Sequence, residues 1–267
     1  MRVFLSILVF VSTISFVQAN DETVSKKDYI LGNTLLTLYH EFGHAIVDNL
    51  RLPVLGREED AVDFFSILMV ENKISSRILT QSQENQLDDF LWATADAWLA
   101  YSESEELDDS SFASDHSVDL QRFYQHICLV YGSDPELYEN MVVDFELDLS
   151  ELGGCEDKFA DVEENWMSVL KPSLQTKDEP GDRDEILVFI HQPNDRQFQS
   201  YYSWVKNWPW LTDFQVSMSS TLRLPEPITV VFTECGEANA FFDSEDNAVT
   251  ICYEQMDVYE TFYDQLQ

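Results

Sequence analysis

The sequence predicts an α+β fold, mainly helical, with a small β-sheet or hairpin late in the chain. Three observations predict it. Apolar residues recur at helical spacing through the first two thirds of the 267 residues. A polar stretch, Gln175 to Asp184, carrying Pro180-Gly181, then interrupts the pattern. Short runs rich in β-branched and aromatic residues follow it.

The elements come in this order. Residues 28–50 read as one long helix, with Ile30, Leu31, Leu35, Leu38, Phe42, Ile46 and Leu50 near helical spacing. Leu52-Pro53-Val54-Leu55-Gly56 ends it. A second helix starts near Arg57 and runs into the mid-70s; Glu58, Glu59 and Asp60 suit its positive end. A third covers 82–102, followed by an acidic, Ser-rich loop from Ser102 to Ser114. Val118 to Tyr131 is the next helix, stopped by Gly132-Ser133-Asp134-Pro135, and short helices are expected over 135–144 and 155–170. After the linker, Ile186 to Ile190 reads as a buried strand and 196–206 as a helix. Ile228 to Phe232, Ala238 to Phe242 and Ala248 to Tyr253 read as strands, with Asp243 to Asn247 as the turn between the last two. A final helix runs from Glu254 to the end. Trp208-Pro209-Trp210 reads as an exposed apolar lip, and Trp92, Trp98 and Trp204, with Phe64 and Phe65, as core.

Residues 1–19 read as a secretory signal peptide. Arg2 is the basic start, Val3 to Val17 the apolar run, and Val17-Gln18-Ala19 the small-residue cleavage site. The mature chain, 20–267, is expected to be a single domain, with a helical metal-binding part over about 28–174 and a sheet-containing part over about 184–267. No later segment reads as an integral membrane span. The net charge is −35. Such a field repels nucleic acid, which excludes it as a partner. Cys128, Cys155, Cys235 and Cys252 all lie in the exported part and suggest two disulfides, with Cys128–Cys155 and Cys235–Cys252 favoured as sequence neighbours. A structural zinc site is the weaker alternative, because no C-x-x-C spacing occurs. These features place the protein outside the cytoplasm, in the periplasm or secreted.

The chemistry sits in His40-Glu41-Phe42-Gly43-His44, an H-E-x-x-H motif. On a helix, i and i+4 share a face, so both imidazoles can reach one ion. Glu41 is offset from that face, where it can serve a water on the metal as general base. Gly43 suggests close approach of another backbone. A third ligand is expected from the second helix, where Glu59 and Asp63 are again i and i+4 on a stripe that turns apolar at Ile67. A carboxylate there needs a cation or a donor. Glu59 is the candidate ligand, with Glu58 as substitute, and Asp63 accepts the free N–H of His40 or His44. The competing reading is that these acids only cap the helix. His40, His44, Glu59 and water make the open coordination of a catalytic Zn2+, one per chain.

HEFGH followed by E-x-x-x-D is similar to the gluzincin metallopeptidases, which makes the expected fold zincin-like. More closely, "YHEFGHAIVDNLRLPVLGREEDAVD", "SDHSVDLQRFYQHICLVYGSDP" and "CGEANAFFDSEDNAVTICYE" resemble a bacterial family of exported metallopeptidases of unknown specificity. The resemblance covers most of the mature chain, except 171–227, and implies a zinc peptidase fold acting on a peptide or protein substrate. One departure stands out. Zincins place their small sheet before the H-E-x-x-H helix, and here the hairpin follows it. Residues 228–253 are therefore expected to supply the substrate-aligning edge strand. His116, in the second matching stretch, is the first candidate donor to the oxyanion, with a surface helix-end residue as the competing reading; Tyr253 and Arg122 follow. His126 reads as a core histidine, and His191 carries no signal. The leading function is peptide-bond hydrolysis by a metal-activated water with Glu41 as base. The alternatives are a non-catalytic exported zinc-binding or interaction protein, and a zinc amidase on cell-wall fragments.

Overall fold

A computed structural model describes residues 24–71, 80–175 and 185–266. The signal-peptide reading over 1–19 and most of the expected linker, 176–184, lie outside these residues.

Helix α1 (Lys26–Leu50) is capped by Ser25, whose hydroxyl oxygen accepts from the Asp28 amide. Arg51, in the left-handed region, returns its amide to Asp48 and Val47 and ends the helix. Tyr29 to Phe42 is buried almost without a break, so α1 is the centre of the molecule rather than an amphipathic edge. Helices α2 (Glu58–Val70) and α3 (Gln81–Ser104) pack on it. Thr80 and Gln83 form a reciprocal cap that starts α3. Gly32 lets α3 close in: a Cβ there would sit 2.7 Å from Phe90 Cα.

Helix α4 (Asp119–Ser133) packs on α3, and α5 (Pro135–Asp144) follows with Asp134 as cap and Pro135 in the first turn. Helix α6 (Cys155–Leu170) is tied to α4 by Cys128–Cys155. That bridge closes 27 residues and contributes roughly 3–4 kcal/mol in the chain-entropy picture.

Strand β1 (Ile186–Ile190) leads through α7 (Gln199–Lys206) and α8 (Pro209–Thr221) to β2 (Ile228–Thr233). Helix α8 was not legible as a helix. Its Pro209 opens the first turn, and Trp210, Phe214 and Met218 form a buried i, i+4, i+8 stripe. Trp208 and Trp210 are 5% and 2% exposed, so both rings belong to the core, Pro209 alone faces outward, and the segment is not an exposed apolar lip. Strands β3 (Ala240–Asp243) and β4 (Ala248–Cys252) form the expected hairpin, and α9 (Tyr253–Gln265) ends the chain. The sheet order is β1-β2-β4-β3, with β1, β2 and β4 parallel and β3 antiparallel to β4 at one edge. Cys235–Cys252 joins the loop after β2 to the end of β4. The architecture is α+β and mainly helical with a small late sheet, as the pattern predicts. Both β3 and β4 pack against α1, which brings the late sheet to the helix carrying the histidines. Among the described residues no helix is long and apolar enough to cross a membrane.

Candidate metal centre and its cleft

Helices α1 and α2 meet at Gly43. A Cβ on it would lie 2.9 Å from Val62 and 3.2 Å from Phe65. The close neighbours are side chains of α2, not the backbone expected from sequence. Gly43→Ala should therefore push α2 away and shift Glu59 relative to the histidines. The overpacking cost is about 1–3 kcal/mol. The expected result is a lower melting temperature with weakened metal retention on dialysis; unchanged retention would show that α2 has slack.

Three atoms converge at this junction. His40 Nε2 and His44 Nε2 are 3.3 Å apart. Glu59 Oε2 lies 3.1 Å from the first and 3.3 Å from the second. Each imidazole is held from behind. His40 Nδ1–H donates to Asp63 at 2.7 Å, and His44 Nδ1–H donates to Glu58 at 2.8 Å. Glu58, weighed as a substitute ligand, therefore sits behind His44 while Glu59 faces both rings. Arg122 Nε and Nη2 grip Asp63 at 2.8 and 2.7 Å, and the guanidinium lies 3.7 Å over the Trp98 ring. Burial would raise the Asp63 carboxyl, but Arg122 and His40 hold it well below the usual carboxylate range.

This set fits a cation on its donor chemistry. With both Nδ1 protons committed to carboxylates, the neutral rings turn two Nε2 lone pairs toward each other and toward a carboxylate oxygen. Something positive must sit among them. Without an ion, a proton takes that role. Burial would lower the His40 pKa, yet Asp63 and Glu59 outweigh it and hold it at about 9. Around a tetrahedral ion with N and O donors at about 2.0–2.2 Å, neighbouring donors lie about 3.3–3.6 Å apart, close to the spacings here.

His116 Nε2 stands 2.9 Å from Glu59 Oε2, with its side chain 51% exposed. His40, Glu59 and His116 thus form a second three-residue set with ligand atoms within 4.8 Å. The His44 set has the firmer support, because Glu58 fixes the tautomer and direction of His44, whereas His116 is on a loop. That loop is pinned to α2: Arg57 donates to Ser117 Oγ at 3.1 Å and to the Phe112 carbonyl at 3.3 Å, and Ser117 donates to Asp60 at 2.7 Å.

Glu41 is 9% exposed, and its carboxylate has no hydrogen-bond partner among the described residues. Burial raises it above its ordinary value, against the pull of His40 and His44. It lines two cavities that meet at His40, Glu41, His116 and Ala240. One, of about 360 Å³, runs between α1, α3 and α4. The other, of about 580 Å³, lies under His44, Glu58 and β3. Strand β3 therefore borders the cleft, with β4 on one side and, among the described residues, no strand on the other.

Other candidates lie elsewhere. The Tyr253 hydroxyl donates to the His191 carbonyl at 2.8 Å and lines neither cavity, so Tyr253 is not an oxyanion donor. Phe64 and Trp98, read as core, line the smaller cavity. The sequence reading missed Tyr101, Asp119, Gln125 and Tyr259 in the same wall; no spacing rule relates them to the motif.

His126 is 2% exposed and donates Nε2–H to the Leu91 carbonyl at 2.9 Å. Burial pushes its pKa down to about 4. The unfolded chain binds this proton below about pH 6.5 and the folded protein only below about 4, so acid favours unfolding across that window. The loss reaches about 3 kcal/mol near pH 4. Urea melts of the wild type and His126→Gln from pH 7 to 4 should diverge by this amount; parallel curves would remove the assignment.

No curated protein and no solved structure matches the chain. A family model does match, over residues 5–170 and 190–267, taking in both helices of the centre, the His116 loop and the β3–β4 hairpin. By that match the chain belongs to the family described as "Putative metallopeptidase".

Proposed function

We propose that this protein is an exported, zinc-dependent peptidase of the zincin type. The observation that carries the reading is the convergence of His40, His44 and Glu59 beside an unpartnered Glu41 carboxylate. Two imidazoles and a carboxylate suit zinc and leave a position open for solvent and substrate. When bound, zinc supplies a Lewis acid. The protein's own groups do the rest. Glu41 takes the proton of the attacking water and passes it to the leaving amine. His116 donates from Nε2 to the oxygen on which charge develops. Asp63, Arg122 and Glu58 fix the imidazoles. The open edge of β3 aligns the peptide main chain as an added strand. Two disulfides and the leader-like residues 1–19 support export and an oxidising compartment.

One observation favours a second reading. If His116 were a fourth ligand, as its 2.9 Å approach to Glu59 allows, the coordination would close and the site would be structural or recognitional. Metal analysis of purified protein separates the two. The peptidase reading expects one zinc per chain, lost in His44→Ala and kept in His116→Ala, with chelator-sensitive peptide cleavage. Loss of zinc from His116→Ala to the same degree, with no cleavage by the wild type, would establish the closed site instead.

A further inference from the structure

We propose that the smaller cavity takes the cationic side chain, lysine or arginine, of a residue flanking the scissile bond, with Asp119 as the specificity-determining carboxylate. The proposal rests on the peptidase reading for the site's purpose, but the recognition chemistry stands on the cavity itself.

The cavity is about 360 Å³, at the small end of ligand pockets, and so admits one large side chain rather than a whole peptide. Its wall carries three acceptors with no donor among the described residues. The two Nδ2 protons of Asn33 go to the carbonyls of Tyr29 and Ala93, which leaves Oδ1. His126 spends Nε2–H on Leu91 and stays neutral near pH 7, which leaves Nδ1 as an acceptor. Gln125 Oε1 is buried without a partner. Asn33 and His126 are 3% and 2% exposed, so whatever reaches these two acceptors comes through the cavity.

Charge selects among donors. Asp119, in the first turn of α4, has no side-chain partner among the described residues, and burial lifts its carboxyl above the ordinary value. A first-turn acid in contact with solvent would be unremarkable. This one lines a cavity, and the charges of Arg122 and His116 offset only part of its desolvation, which a cationic ligand would complete. Glu41 adds negative charge to the wall, while Asp63 and Arg122 offset one another. The one guanidinium there, Arg122, is already spent on Asp63 and on the face of Trp98. An anionic side chain would meet carboxylates, and an aliphatic one would strand the acceptors. The rings of Trp98 and Tyr101 flank the space and suit a long methylene stem below a cation.

The test uses fluorescein-labelled hexapeptides of alanine and glycine with one central Lys, Arg, Met or Glu. Binding to zinc-loaded Glu41→Gln protein is read by anisotropy. Lys and Arg peptides should bind at least about tenfold more tightly than Met, with Glu weakest. In the Glu41→Gln, Asp119→Asn double variant, the Lys-to-Met ratio should fall close to one, and Gln125→Ala should lower it severalfold. The field of −35 charges attracts any cation, but Asp119→Asn alters that field by a single charge, so a collapsed ratio reports the cavity. Asp119→Asn should also melt no lower than the wild type, because a half-buried charge without a hydrogen-bond partner has been removed; a purely structural Asp119 would give a lower melt. A Met peptide bound as tightly as Lys, or a ratio unmoved by Asp119→Asn, overturns the proposal. Cleavage of the same peptides by the wild type is scored separately. Lys-selective binding without cleavage sinks the peptidase reading alone, and cleavage without Lys selectivity sinks the cavity assignment alone.

Discussion

Glu41→Gln is expected to lower peptide turnover by about 10²–10⁴-fold while zinc content stays at the wild-type level. The amide keeps the size of the carboxylate but cannot take a proton. Glu41 contributes no hydrogen bond to the framework, so its replacement disturbs little of the packing around α1. Removing a desolvated carboxylate should leave the melting temperature equal or slightly raised. The measurement is initial rate on a quenched peptide, alongside zinc per chain by atomic absorption. Turnover within a factor of a few of the wild type would rule Glu41 out as the base. Lost zinc would mean that Glu41 helps to hold the ion.

The largest effect on stability is expected from Arg122→Ala, a loss of about 3–5 kcal/mol. Arg122 and Asp63 are 10% and 14% exposed at their side chains, and they are joined by two short hydrogen bonds. Truncating Arg122 leaves the Asp63 carboxylate buried with His40 as its remaining partner and takes the stacking surface from Trp98. The pair need not stabilise the fold relative to an apolar pair; the cost arises from leaving one charge without the other. Asp63 would then draw a proton more readily, and its grip on His40 would loosen, so zinc should be held less tightly as well. Urea denaturation of both proteins at pH 7 measures the difference. A change under 1 kcal/mol would mean that water or a rearranged neighbour compensates Asp63. Arg122→Lys should recover only part of the loss, because an ammonium cannot make the two-pronged contact.

Some of this was legible because it is local. The spacing of His40 and His44 fixes a shared face on any helix, and Glu59 and Asp63 follow the same rule on α2. The helix read over 28–50, the stop at Pro135 and the β3–β4 hairpin each depend on a few neighbouring residues. Helix α8 shows where local reading fails. Its stripe of Trp210, Phe214 and Met218 is visible in retrospect, but Trp208-Pro209-Trp210 reads equally as a surface feature until α3 covers Trp210 and α1 covers Phe214. The same holds for Trp98, which reads as core by residue type and becomes cavity wall through its neighbours.

The sequence by itself determined the α+β class, the order of helices and strands apart from α8, and which face of α1 carries two imidazoles. These follow from periodicity and chain chemistry within a turn or two. Only the tertiary structure decided that Glu59 rather than Glu58 faces both rings, that Arg122 sits behind Asp63, that β3 borders the cleft, and that Asp119 lines a cavity. The reason is physical. These groups lie on elements that meet because buried apolar faces must cover one another, and no short-range rule records which polar side chains are carried along when they do.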